Sequence, residues 1–128
     1  MKAVVIKTDL TIQEIELKKP LHQSLNAAID GSFEVVRPRR LQPPYVMIVN
    51  EDYINLGLPR NEIGCYLYET LIHGHPIQGN IIIMQERIVN KAGEYDLVGL
   101  DPLDVPLVIK AMEQIKKLVC TDVYRRAQ

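Results

Sequence analysis

Residues 77–84 read Ile-Gln-Gly-Asn-Ile-Ile-Ile-Met, and the three consecutive isoleucines constrain the fold more than any other feature of the chain. Successive side chains of a strand point to opposite faces of its sheet, so an uninterrupted apolar run has to be covered on both sides. The segment is therefore expected to be a central strand, and the remaining segments must supply its neighbours and its cover.

Those neighbours can be read from periodicity. Residues 2–7 and 11–17 are strand-length runs of apolar side chains bounded or interrupted by polar ones, and the short Thr8-Asp9-Leu10 link makes them an antiparallel hairpin. Leu21, Leu25, Ala28 and Ile29 recur at helical spacing between Pro20 and Gly31. Residues 33–36 and 45–49 form two further strands. Asn61 caps a helix on which Ile63, Tyr66, Leu67, Thr70 and Leu71 share a face, with Gly74 and Pro76 as stop signals. Residues 87–89 and 95–98 flank a turn at 90–93 and make an edge hairpin. Asp104 caps the last helix, Pro106 lies in its first turn, and Val108, Ala111, Met112, Ile115, Leu118 and Val119 form its apolar stripe.

The order β-β-α-β-β-α-β-(β-β)-α lacks the strict alternation of a parallel doubly wound sheet. The expected fold is α+β: one domain over residues 1–128, with a mostly antiparallel sheet and two to three helices packed on one face. No internal repeat and no long polar linker divides the chain. Its 128 residues are enough for one core that hides about two-thirds of the unfolded surface.

Composition narrows the function classes. A formal net charge of -1 gives no overall field to draw in nucleic acid or anionic lipid, so any electrostatic site must be local. The N-terminal run carries Lys2, Lys7 and Asp9 and lacks the apolar core of a signal peptide, and no stretch approaches the roughly 18 apolar residues of a spanning helix. A cytoplasmic protein without a membrane partner is expected. Cys65 and Cys120 form no C-x-x-C pair and read as buried thiols on two helices, which demands no oxidising compartment.

The densest candidate chemistry is the loop Arg37-Pro38-Arg39-Arg40 between two strands. Guanidinium forks suit bidentate capture of phosphate or carboxylate, while a solvated basic loop is the bland alternative. Tyr45, Asn50, Tyr53 and Asn61 lie near it in sequence and could stack on or hydrogen-bond to a base or sugar. Taken singly, Tyr45 reads as strand packing and Asn61 as a helix cap. The ligand-binding set is thus Arg37, Arg39, Arg40, Tyr45, Asn50 and Asn61.

Other clusters have simpler readings. His73-Gly74-His75 could give zinc two nitrogens but lacks a local third ligand, and a helix end explains the same residues. Asp96, Asp101 and Asp104 do not match a calcium loop and read as turn and cap residues, and Tyr124-Arg125-Arg126 reads as a charged tail. No G-x-S-x-G, H-E-x-x-H, Walker loop or G-x-G-x-x-G is present, so no catalytic residue, metal or cofactor is assigned. A catalytic set gathered from distant positions would escape such a search.

The blocks MKAVVIK, EVVRPRRL, YVMIVNEDY, LPRNEIGCYLY and HGHPIQGNIII, in this order over roughly residues 1–100, resemble a family of small uncharacterised proteins. That family is catalogued as a domain of unknown function and is common in phages and mobile elements of Gram-positive bacteria. The resemblance implies a context of host counter-defence or gene regulation and transfers no functional residue. Three readings follow. The first is a non-enzymatic binding module for an anionic small molecule, such as a nucleotide signal, or for an acidic protein surface. The second is a protein–protein adaptor or antirestriction-type regulator working through a sheet edge or apolar patch. The third is a small hydrolase or transferase with dispersed residues, including His73 or His75. A homo-oligomer is compatible with each.

Overall fold

A computed structural model describes residues 1–70, 74–121 and 124, and its core is built around the isoleucine-rich strand. In chain order the elements are β1 (Lys2–Ile6), β2 (Ile12–Glu16), α1 (Leu21–Ile29), β3 (Phe33–Val36), β4 (Tyr45–Asn50), α2 (Tyr53–Leu56), α3 (Glu62–Tyr68), β5 (Ile81–Ile88), β6 (Tyr95–Val98) and α4 (Val105–Val119). The strands form one antiparallel sheet in the order β2-β1-β5-β4-β3, with β6 also paired to β5. The fold is α+β, and β5 is central as expected.

β5 is longer than the isoleucine run. Its first half pairs with β1 (Val4↔Ile83) and its second half with β6 (Arg87↔Asp96) along the same side, while β4 pairs along the other. Residues 87–89 thus do not begin a separate strand, since β5 runs unbroken to Ile88. Residues 77–80 precede it as a turn, in which Gly79 has φ +84° and Gln78 bridges to Arg60.

Ile81, Ile82, Ile83 and Met84 are all buried, and their alternation divides the core in two. On one face Ile81 and Ile83 join Val4, Ile6, Met47 and Val49 beneath α3 and α4. On the other, Ile82 and Met84 join Ala3, Val5, Val46 and Ile48 beneath Leu25 and Ile29 of α1. Each fully buried isoleucine contributes on the order of 1.5–3 kcal/mol. The expectation of helices on one face therefore holds for α3 and α4, while α1 takes the opposite face. The reason is the chain path: α1 leads from edge strand β2 to edge strand β3, four strand spacings or about 19 Å apart, and covers the open face on its way.

Several local readings hold. Asn61 caps α3, its Oδ1 accepting from the Gly64 backbone N–H at 3.0 Å. The Asp101 turn forms, Asp101 Oδ1 accepting from the Leu103 amide at 2.9 Å. Others are corrected. Asp104 stands at the N-cap position before Val105 but its side chain makes no cap hydrogen bond, and its carboxylate accepts from Gln85 Nε2 at 3.0 Å instead. α3 ends at Tyr68 with Glu69 as its left-handed cap at φ 60°, while Gly74, also left-handed at φ 76°, lies five residues beyond that cap. Cys65 is buried, but Cys120 at the end of α4 is exposed. The short helix α2, closed by a left-handed Gly57, carries no buried residue, so no apolar periodicity announced it. His73, Leu71, Arg125 and Arg126 lie outside the described residues. Among the described residues no group of three acidic, histidine or cysteine side chains could hold a metal, and no helix is long and apolar enough to cross a membrane.

Packing between α3 and the sheet is close. A Cβ on Gly64 would stand 2.8 Å from Ile77 Cγ2, so glycine is required there by space. The fully buried Asn61 completes this junction, its Nδ2 donating to the carbonyls of Ile6 and Gly79, each at 3.0 Å.

Asn61→Ala removes three hydrogen bonds in a buried setting and is expected to cost about 2–4 kcal/mol. Urea unfolding should show this as a lowered midpoint at unchanged slope, and a loss below about 1 kcal/mol would contradict the role given to Asn61. Burial also pushes the Cys65 thiol above its usual range, with Arg60 opposing the shift. An aromatic disulfide reagent at mildly alkaline pH should therefore titrate one thiol per native chain, Cys120, and both thiols in denaturant.

Candidate functional site

The loop from Arg37 to Pro44 is held at both ends. Pro38 is buried, Leu41 N–H donates to the Pro38 carbonyl at 3.1 Å, and Tyr45 N–H donates to Gln42 at 3.0 Å. Arg40 N–H reaches the Leu67 carbonyl at 3.4 Å, tying the loop to the last turn of α3. Prolines thus produce an ordered connection that presents its three arginines in fixed directions.

Each arginine meets an acidic partner. Arg37 makes a bidentate pair with Glu86 of β5, both contacts at 2.6 Å, and stands 6.0 Å from the Tyr95 ring centre. The Arg40 guanidinium lies 4.2 Å from the Tyr66 ring centre, donates from Nε to Glu69 Oε1 at 3.1 Å and from Nη1 to the Tyr66 carbonyl at 3.3 Å. Arg39 stays 78% exposed, and its Nη1 is 3.7 Å from Glu69 Oε2. The left-handed turn at Glu69 brings its carboxylate between these two arginines, where Oε2 is buried without a hydrogen-bond partner among the described residues. The loop is therefore less positive than its sequence implies, with Arg39 its most available charge.

Two clefts meet at Arg40. One, about 300 Å³, is lined by Leu41, Gln42 and Tyr45 on the loop side and by Leu107, Met112 and Ile115 on α4. The second, about 530 Å³, lies between Tyr66 and the later part of α4, at Gln114, Ile115 and Leu118. Arg40, Ala111 and Ile115 line both, so the two form one groove along α4. Its lining is chiefly aliphatic, with guanidinium, amide and phenol groups along one wall.

Of the residues singled out by sequence, Arg40 and Tyr45 line this groove, and Arg39 stands beside Arg40. Arg37 belongs instead to a separate cleft with Pro43, Pro44, Ile88 and Tyr95. Asn50 is buried, its Nδ2 donating to the carbonyls of Ile29 and Asp30 at 3.4 Å and its Oδ1 accepting from the Asp52 amide at 2.8 Å. Asn61 is fully engaged at the α3 junction. Neither amide lines the groove, so neither candidate comes together there with the arginine loop. Tyr53 is half-buried on α2, and burial raises its hydroxyl above the usual range.

Sequence reading missed Tyr66 and Glu69, which orient Arg40, and the outer face of α4. Ala111 and Leu118, expected in the buried stripe, are exposed, and Leu107 is 63% exposed. The signal was present: adding Leu103 and Leu107 to the stripe gives an apolar arc wider than a helix can bury against one sheet.

No curated protein and no solved structure matches the chain. A family model described as a domain of unknown function, DUF3846, matches residues 1–97 of the 128, which spans every strand to Leu97 and the helices α1 to α3. The chain belongs to the DUF3846 family.

Proposed function

We propose that this protein is a non-enzymatic binding module that captures an anionic ligand with apolar surface in the groove between the arginine loop and α4. The observation that carries the reading is the setting of Arg40. Its guanidinium is stacked on Tyr66, oriented by Glu69 and the Tyr66 carbonyl, and stands where the two clefts meet. A pre-oriented cation loses little freedom when it pairs with phosphate or carboxylate, and the exposed Arg39 adds a second fork beside it. The aliphatic lining supplies the non-directional part of the affinity.

A small anion, as in sequestration of a nucleotide signal during counter-defence by a phage or mobile element in the cytoplasm, is one form of this function. A protein adaptor that grips an acidic surface is the other, favoured by the exposed leucines that continue the groove along α4.

Native mass spectrometry of freshly purified protein, under gentle and then denaturing conditions, reads any bound molecule and the subunit count together. The combined Arg39→Ala and Arg40→Ala variant should weaken capture of the ligand, small molecule or acidic protein, by about 10-fold to 100-fold while unfolding cooperatively. Unchanged capture by a folded variant would overturn the assignment of this groove.

A further inference from the structure

We infer that the natural occupant of the groove is an acidic amphipathic helix of a partner protein, an inference that rests on the binding reading above. Leu107, Ala111, Gln114 and Leu118 fall on one outward strip of α4, spanning twelve residues, or about 16 Å of helix. That strip is exposed, with Leu107 at 63% and Leu118 at 42%, and Leu103 extends it beyond the helix start at 82%. Opposite it stand Leu41, Tyr45 and Tyr66. The result is an open trough about three turns long with apolar sides, a shape suited to leucine-type anchors at successive turns of a docked helix. The small Ala111 at its middle leaves room for close approach of the occupant.

Charge selects the sign of that helix. Arg39 and Arg40 border one wall, and the exposed Lys110 and Lys117 follow the outer edge of the strip on the other. Glu69, which offsets the arginines, is itself nearly buried behind them, and by helical spacing Glu113 lies about 130° round α4 from the strip, outside Lys110 and Lys117 at about 70° and 90° on the same side. Both borders of the trough are therefore cationic, which favours an occupant with carboxylates on both sides of its apolar stripe. A second copy of the chain seated there would bring cationic borders against each other, because a two-fold contact uses the same patch twice. A nucleotide would leave most of the aliphatic strip uncovered.

The test uses fluorescein-labelled synthetic peptides of about four turns, long enough to span the trough. One carries leucine at i, i+3, i+4 and i+7 with glutamate at the flanks. The second has lysine at those flanks, and the third has the acidic composition in scrambled order. Anisotropy titrations should show the acidic amphipathic peptide binding at least tenfold more tightly than either control, and weakening as salt is raised. Leu107→Asp and Leu118→Asp, at exposed positions that leave the core intact, should each reduce its affinity about tenfold or more. Equal binding of the ordered and scrambled peptides, or affinity unchanged by both leucine variants, overturns the inference. Dimerisation abolished by Leu107→Asp would likewise overturn it in favour of a second copy. Capture of a small anion that depends on Arg39 and Arg40, without peptide binding, overturns this inference and leaves the binding function standing. Failure of both kinds of capture overturns both.

Discussion

The carboxamide of Asn61 is the contact on which the groove-bearing face of the molecule depends. It sits where three independent pieces of chain meet: the end of β1 at Ile6, the turn into β5 at Gly79, and the first turn of α3 at Gly64. Backbone pairing of Asn61 N–H with the Ile77 carbonyl at 2.8 Å completes the junction. A buried amide that is fully paired specifies geometry more sharply than apolar contacts, because each displaced partner would be left without water. Fixing the start of α3 also fixes its end, where Tyr66 and Glu69 hold Arg40 in place.

The electrostatics of the arginine loop are arranged for orientation more than for raw positive potential. Exposed ion pairs contribute little to stability, and the Arg37–Glu86 pair is open on its arginine side. The Glu69 carboxylate is different, since it is only 13% exposed and lies behind two guanidinium groups. Such a carboxylate sets the direction in which the arginines present their outer faces. The side-chain freedom of Arg40 is therefore restricted by folding itself.

The sheet was legible because its strands obey simple rules. Short apolar runs joined by a tight link marked β1 and β2, the isoleucine run marked β5 as central, and the Asn61 cap located α3. What sequence did not reveal were choices made by tertiary packing. Which face α1 covers follows from the distance between two edge strands, a quantity absent from any local window. The continuity of β5 through Gln85 and Glu86 depends on partners in β4 and β6. Likewise, Asn50 has the composition of a binding residue but is occupied by the carbonyls that end α1. In the arginine loop, the arginines were visible as charges, whereas the acidic partners of Arg40 and Arg37 lie 29 and 49 residues away in sequence. The exposure of Leu107 and Leu118 reflects how much of α4 the sheet and α3 can cover.

The two walls of the groove come from different parts of the chain. The arginine loop, Tyr45 and Tyr66 fall within the segment that defines the family, and the opposing leucines fall after it. Val105, Val108, Met112 and Val119 anchor α4 from its inner side, so its outer side carries little responsibility for folding. Substitutions there are released from the packing constraints that hold the sheet. One wall of the groove is thereby tied to the packing of the sheet and the other is almost free of it, so a handful of outward positions on α4 can change while the scaffold stays the same.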